Sequence, residues 1–202
     1  ILTSSNGTTW TSASVGDSGN SWTSVTSPTS NWITSVTSGN NTFVVVGESG
    51  TILTSSDNGS SWTSQTSVSD MGTLAGLSYH LYALTAGNGL FLAVGFYSYC
   101  AFTSPNGITW TRSCNIGASG VPLEGLTYGN GLYVATGGSG LFFSSDNGTT
   151  WASRNWSNYK GVTYGNNIFV AVGNSGTIIT SPEDEVSTGD VWTPRTSGVS
   201  ET

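Results

Sequence analysis

The chain has 202 residues and a formal net charge of −7, with four Lys and Arg residues against eleven Asp and Glu residues. Hydrophobic residues make up 36% of it and aromatic residues 11%, a composition that favours a folded domain over a disordered one. The four cations are scattered, which argues against a nucleic-acid groove or an anionic membrane surface. No apolar stretch approaches the roughly 18 residues that a membrane-spanning helix needs, so membrane insertion is not expected.

The N-terminal stretch, residues 1–30, predicts half of a four-stranded unit. Its opening, "ILTSSNGTTWTSAS", offers two short strands around a turn that ends at Trp10, with no apolar strand before them. Residues 15–30 contain a similar "DSGNSW", which adds a further strand in one interpretation. The chain begins at Ile1 and not at Met. We therefore expect either a fragment of a longer protein or a half unit that another copy completes.

Four longer repeats follow, at residues 31–67, 81–114, 124–155 and 159–197. Each predicts four short strands: the first ends at a Gly-Asn turn, and the second is an apolar run such as 43–46, too short for a helix. A Gly-x-Ser-Gly-like turn precedes the third strand, and an octapeptide such as "SSDNGSSW" joins the third to the fourth. Units of this kind, spaced by about 36 to 48 residues, predict one all-β domain over residues 1–202, a β-propeller with about four full blades and a half blade.

The octapeptide, called the box turn below, is complete at 55–62 and 144–151 and is interrupted by an insertion in the last repeat. The aspartate is expected to accept N–H hydrogen bonds of the turn, the glycine to take a positive φ, and the tryptophan to cover the hairpin. This predicts a structural role and not a catalytic one. The residues concerned are Asp57, Gly59, Trp62, Asp146, Gly148 and Trp151, with Trp10, Trp110 and Trp192 in the imperfect copies.

The pattern Ser-x-Asp-x-Gly-x-Thr-Trp resembles the Asp-box of the BNR-repeat β-propellers. That superfamily includes sialidases, glycan-processing enzymes, sortilin-type receptors and a photosystem II assembly factor. The resemblance covers the whole chain in five copies. It implies a propeller in which each Asp-box stabilises the hairpin between the third and fourth strands, away from the ligand face.

Enzymatic residues of the sialidase kind are not expected to meet in this chain. Such enzymes need three converging arginines, whereas Arg112, Arg154 and Arg195 each follow a box tryptophan on the outer strand of a separate blade. A Ser-His-Asp triad would need the sole histidine, His80, but no Gly-x-Ser-x-Gly nucleophile motif accompanies it. The acidic residues in 183–190 lack the ligand spacing of a calcium loop. The sequence thus predicts a protein without catalytic residues, metal or cofactor.

Two cysteines flank the turn "SPNG" symmetrically. Because Thr103 is expected to face Thr111, Cys100 and Cys114 fall opposite each other on adjacent strands, close to disulfide reach. A disulfide would place the chain in an oxidising compartment. The alternative is two buried free thiols in a cytosolic propeller.

Five N-x-S/T sequons mark possible N-glycosylation sites. Asn-Gly-Thr is also a good turn sequence, so a sequon can equally exist for backbone reasons. The sequons begin at Asn6, Asn40, Asn58, Asn147 and Asn155.

A ligand face is predicted on the loops that join second to third strands and one blade to the next. Its aromatic residues suit stacking on a sugar, although they could equally pack between blades. We predict a secreted or cell-surface, non-enzymatic structural or adhesive module of an extracellular assembly, whose partners are other copies of itself or an extracellular protein or glycan. The alternative is a lectin-like glycan-binding module. The candidate ligand-binding residues are Asp70, His80, Phe96, Tyr97, Trp156 and Lys160.

Overall fold

The computed structural model describes residues 2–3, 11–12, 24–65, 79–96, 100–114, 116, 122–154, 158–181 and 193–195. Within these ranges no helix is long and apolar enough to cross a membrane. The strands are β1 Leu2–Thr3, β2 Thr11–Ser12, β3 Ile33–Gly39, β4 Thr42–Gly47, β5 Ile52–Ser55, β6 Thr63–Ser64, β7 His80–Gly87, β8 Leu90–Phe96, β9 Ala101–Ser104, β10 Thr111–Ser113, β11 Leu123–Gly129, β12 Leu132–Gly137, β13 Gly140–Ser144, β14 Ala152–Arg154, β15 Tyr159–Gly165, β16 Ile168–Gly173, β17 Ile178–Thr180 and β18 Thr193–Arg195, with 3₁₀ turns at Glu48–Gly50 and Asn174–Gly176.

The described strands form four antiparallel four-stranded sheets, each contiguous in sequence. They are sheet 1 (β3–β6), sheet 2 (β7–β10), sheet 3 (β11–β14) and sheet 4 (β15–β18). Strands β1 and β2 pair with each other as a separate two-stranded ladder. The predicted all-β fold, with four full units and a half unit, is confirmed.

Tight turns join the first and second strand of every sheet. In sheet 1 the turn residues Asn40 and Asn41 have φ values of 49° and 58°. Positive φ at both positions is the mark of the type I′ turn, whose twist matches that of the flanking strands. The sequence pattern predicted this turn at Gly39 and Asn40, one residue too early, because Gly39 is the last strand residue and pairs with Thr42.

Apolar faces hold neighbouring sheets together. The first strands β3, β7, β11 and β15 lie side by side in that order. Between sheets 1 and 2, the fully buried Val44, Val46 and Ile52 pack in one cluster with Leu81 and Phe91. Equivalent clusters fill the spaces between sheets 2 and 3 and between sheets 3 and 4.

The box turn at 144–151 uses its aspartate entirely for local hydrogen bonds. Asp146 Oδ1 accepts from the Thr150 amide at 2.9 Å and from the Ser144 hydroxyl at 2.9 Å, and Oδ2 accepts from the Thr150 hydroxyl at 2.6 Å. The amide of Gly148, whose φ is 81°, donates to Ser144 Oγ at 2.8 Å. Trp151 Nε1 donates a hydrogen bond to the Gly148 carbonyl at 3.1 Å, which closes the turn. Partial burial raises the pKa of Asp146, but the hydrogen bonds from Thr150 and Ser144 outweigh it and lower the pKa overall.

The box turn at 55–62 repeats this network. Asp57 accepts from the Ser61 hydroxyl at 2.6 Å, the Ser61 amide at 3.0 Å and the Ser55 hydroxyl at 2.7 Å. These bonds lower the pKa of Asp57 to about 2, and the bond from the Ser61 hydroxyl has the largest effect on the pKa. Gly59 takes a φ of 82° and donates to Ser55 Oγ.

Sheet 2 builds the same turn around a neutral side chain. Asn106 stands where the other turns have aspartate, and its Oδ1 accepts from the amides of Ile108 and Thr109, both at 2.9 Å. Trp110, which is buried, donates from Nε1 to the Gly107 carbonyl at 2.9 Å. A charge is therefore not essential to the turn. Trp10 and Trp192, predicted to belong to imperfect copies, lie outside the described residues.

A disulfide crosses the hairpin of β9 and β10. Thr103 pairs with Thr111, and Cys100 and Cys114 are bonded to each other. The covalent link closes the hairpin whose turn contains Asn106.

The disulfide should contribute to stability mainly by restricting the unfolded chain. With 14 residues of sequence separation between the cysteines, the double substitution Cys100→Ser/Cys114→Ser should lower the free energy of unfolding by about 3 kcal/mol. Urea denaturation of the variant and of wild type with and without dithiothreitol measures this. Equal midpoints for oxidised and reduced wild type would contradict it.

The box aspartates should make stability depend on pH. Because their folded pKa values lie below the unfolded value, their contribution is present above about pH 4 and is lost as pH falls through the folded pKa, which is about 2 for Asp57 and is also lowered for Asp146. The variant Asp57→Asn/Asp146→Asn keeps an acceptor oxygen at each turn, as Asn106 does. Denaturation midpoints between pH 2 and 6 should fall less steeply for this variant than for wild type. Parallel curves would show that the carboxylates are not titrating with folding.

Candidate functional site

Every first strand carries a bulge near its start, at the third residue in β7 and at the second residue in β3, β11 and β15. The pairing register shifts between Ile33 and Ser35 in sheet 1, and the same shift recurs in the other three sheets. A bulge leaves one residue unpaired and redirects its side chain, which is why bulges often occur beside binding sites. The four bulge residues are chemically different: Thr34, Tyr82, Glu124 and Lys160.

Two of the bulge residues line a cavity between sheets 2 and 3. The cavity has a volume of about 460 Å³ and is lined by Tyr82, Phe96, Pro122 and Glu124, all of them half-buried. A space of this size holds a small ligand or one or two side chains of a partner. We call it the bulge pocket.

An aromatic stack forms one wall of the bulge pocket. The rings of His80, Tyr82 and Phe96 follow one another with centroids 6.4 Å apart and planes inclined by 16° at each step. His80 also pairs with Phe96 across β7 and β8. The rings are therefore held by the sheet and need no rearrangement to offer an apolar surface.

Carboxylates lie on either side of this stack. Glu124 Oε1 accepts a hydrogen bond from Lys160 Nζ at 2.8 Å, an ion pair between bulge residues of sheets 3 and 4. Glu48 Oε1 lies 4.0 Å from His80 Nδ1, a buried atom with no hydrogen-bond partner among the described residues. No group of three potential metal ligands occurs in the described part of the chain.

The structure brings together some of the predicted ligand residues. His80 and Phe96 are cross-strand partners, and Lys160 reaches the same pocket through Glu124. Asp70, Tyr97 and Trp156 lie outside the described residues.

Tyr82 and Glu124 were not among the residues predicted from the sequence. Both stand at the same place in their repeats as Lys160, and this shared position is the signal in the sequence that could have pointed to them, although it does not reveal the pocket.

The arginines considered for catalysis lie on three different sheets. Arg112 is on β10, Arg154 on β14 and Arg195 on β18, each the fourth strand of its sheet. At the opposite edge of each sheet are the first strands, which carry the bulge residues.

Two sequon asparagines take part in contacts between sheets. Asn40 Nδ2, the atom to which a glycan would be attached, donates to the carbonyls of Gly89 and Pro105, both at 3.0 Å. Asn147 Oδ1 accepts from Asn88 Nδ2 at 2.8 Å. Asn58 is exposed, while Asn6 and Asn155 lie outside the described ranges. Glycosylation stays a prediction, and a glycan at Asn40 would have to break its two hydrogen bonds.

Comparison with known proteins identifies the fold and not a family. No protein-family model matches the chain, and no curated protein matches it. Among solved structures, the chain is similar to YCF48 from Cyanidioschyzon merolae, with a TM-score of 0.65 and 17% identity over 84% of this chain and 58% of that one. A structure of YCF48 bound to D1 peptide gives a TM-score of 0.63 and 17% identity over 83% and 56% of the two chains.

A chain in the nidogen/laminin complex is similar at a TM-score of 0.50 and 11% identity, over 69% of this chain and 54% of that one. The chain thus spans a little over half the length of the YCF48 chains that it matches. These neighbours are β-propellers, and at such identities the similarity concerns the fold alone. Sheets 1 to 4 are therefore propeller blades.

Proposed function

We propose that the chain is a secreted, non-enzymatic module of an extracellular assembly, with a structural or adhesive role, and that it binds a protein partner at the bulge pocket. The observation that carries the proposal is the pocket itself, in which the stacked rings of Tyr82 and Phe96 lie beside the carboxylate of Glu124. The Cys100–Cys114 disulfide supports an oxidising compartment.

The chemistry of the pocket favours a partner segment with an apolar side chain beside a cationic one. Tyr82, Phe96 and Pro122 offer apolar surface, and the face of an aromatic ring attracts cations. Glu124 already holds Lys160, but a carboxylate has acceptor capacity for a second donor. The net charge of −7 would also attract a basic partner.

Two structural neighbours support a protein partner. One is YCF48 bound to D1 peptide, and the other belongs to a nidogen/laminin complex. Each of these propellers was solved with a peptide or a protein, which makes a polypeptide ligand the first class to test here.

The box turns are, in this proposal, Asp-boxes with a structural function. Both oxygens of each aspartate accept hydrogen bonds within the turn. They also lie at the opposite end of the strands from the bulge pocket, since Asn40, in the turn after β3, contacts Pro105 in the box turn of sheet 2. A ligand in the pocket would not touch them.

Glycan binding is the second candidate, because the aromatic stack favours it. Nearly parallel rings with polar groups on either side suit a sugar, whose C–H face packs on an aromatic ring while its hydroxyls bond to carboxylates. A protein ligand and a glycan would use the same rings, so the choice between them needs a binding experiment.

Screening the chain against a displayed library of random peptides and against a glycan array should separate the two. We expect enriched peptides that contain an aromatic or prolyl residue next to Lys or Arg. Their binding should weaken about tenfold or more, roughly 1.4 kcal/mol, in Tyr82→Ala and in Glu124→Gln. Ile108→Ala, which removes an exposed apolar residue from the turn between β9 and β10, should bind like wild type.

Enrichment on the glycan array alone, lost in Tyr82→Ala, would establish the lectin alternative. Peptide binding that survives both pocket substitutions would overturn the assignment of the pocket.

A further inference from the structure

A repeated contact joins the end of each first strand to the next sheet. A Cβ atom added to Gly39 would lie 3.0 Å from Ala86 Cβ. The same atom on Gly87 would overlap the ring of Tyr128, and on Gly129 that of Tyr164. Each glycine thus leaves space for one side chain of the next sheet, that of the residue just before the equivalent glycine. We call this space a glycine socket, and its occupants are Ala86, Tyr128 and Tyr164. At Gly165, in sheet 4, no described residue lies within 4 Å, and we call this position the open socket.

The apolar face around the open socket is also incompletely covered. In sheet 1 the side chain of Val46 is fully buried against sheet 2. Its equivalents Val94 and Thr136, in sheets 2 and 3, are fully buried as well. In sheet 4 the equivalent Val172 is 45% exposed. We call this surface of sheet 4 the trailing face.

Sheet 1 exposes the matching apolar surface. Val36 is 60% exposed, whereas Leu84, its equivalent in sheet 2, is 6% exposed in the core between sheets 1 and 2. Ile33 and Phe43 are exposed at 49% and 37%, although their equivalents in sheet 2 are fully buried. We call this surface, formed by Ile33, Val36 and Phe43, the leading face.

We infer that a second copy of this chain docks head to tail, with the trailing face of one copy on the leading face of the other and Ser38 of the second copy at the Gly165 socket. Within the chain, the same two kinds of face meet three times and bury valine, leucine and phenylalanine side chains. Both halves of the interface are therefore present in each copy, and none of the residues that define it is charged. Exposed clusters of large apolar side chains mark interaction surfaces.

This interface differs from the completion of a half blade predicted from residues 1–30, and it does not involve the bulge pocket. Because the two faces are different surfaces, the contact is heterologous, and repeated docking gives a ring or an open chain. The proposed partner is thus a second copy of the chain. The surfaces that meet are the outer faces of sheets 1 and 4, at the two ends of the stack.

Complementary single-face variants of the 202-residue chain test this inference. Val36→Asp places a charge on the apolar leading face, and Val172→Asp places one on the trailing face. Since both valines are partly exposed, each variant should fold with the far-UV circular dichroism of wild type. In sedimentation velocity, wild type should form dimers or larger species with rising concentration, and each variant should stay monomeric.

An equimolar mixture of the two variants should form a 1:1 dimer and nothing larger, because only one intact pair of faces remains. Thr111→Asp, an exposed substitution on the fourth strand of sheet 2, should assemble like wild type. Monomeric wild type at all concentrations would overturn the inference. Self-association of either variant to the extent of wild type, or a mixture that stays monomeric, would also overturn it.

The glycine sockets supply a second, independent pair of variants. Gly165→Tyr adds a side chain where no described residue lies within 4 Å of the Cβ position, so it should keep the melting temperature of wild type while abolishing self-association. Gly129→Tyr, the same change at an occupied socket, should lower the melting temperature because it displaces Tyr164. Unchanged self-association of Gly165→Tyr would argue against docking at this face.

Discussion

The stacking of the sheets depends on one steric constraint, the close approach of neighbouring first strands. At Gly87 and Gly129 a tyrosine ring of the next sheet occupies the space that any Cβ atom would fill. This approach brings the apolar faces of consecutive sheets into contact, where the side chains between sheets 1 and 2, such as Val46 and Phe91, become fully buried. Without these glycines the strands would separate and the clusters between sheets would lose their packing.

The two ends of the strands have different physical roles. At one end, type I′ turns and box turns are fixed by positive φ and by short hydrogen bonds. The side-chain amides of Asn40 and Asn88 join sheet 1 to sheet 2 and sheet 2 to sheet 3. At the other end, the bulge releases one side chain from the ladder, and that position carries four chemically different residues. The side chain at the bulged end can therefore vary without disturbing the turns that hold the fold, and such variation at fixed positions is how one fold supports many functions.

The box turns show that a neutral side chain can make the same backbone hydrogen bonds as a charged one. Asp146 and Asn106 cap equivalent turns by accepting backbone N–H groups through one oxygen. The aspartate adds a second acceptor oxygen for the Thr150 hydroxyl, and the charge makes its contribution depend on pH. Both oxygens of Asp146 accept hydrogen bonds within the turn, which gives this carboxylate a structural role there.

The sequence by itself determined the repeats, the antiparallel sheets and the pairing of Cys100 with Cys114, because these follow from local patterns of apolar runs and turn residues. Only the tertiary structure decided which residues form the bulge pocket. A bulge is a property of two paired strands, so the reorientation of Tyr82 and Glu124 has no signal within either strand alone. The open socket at Gly165 was likewise invisible in the sequence. Its glycine matches those of the other repeats, and only the arrangement of the sheets shows that nothing described packs against it.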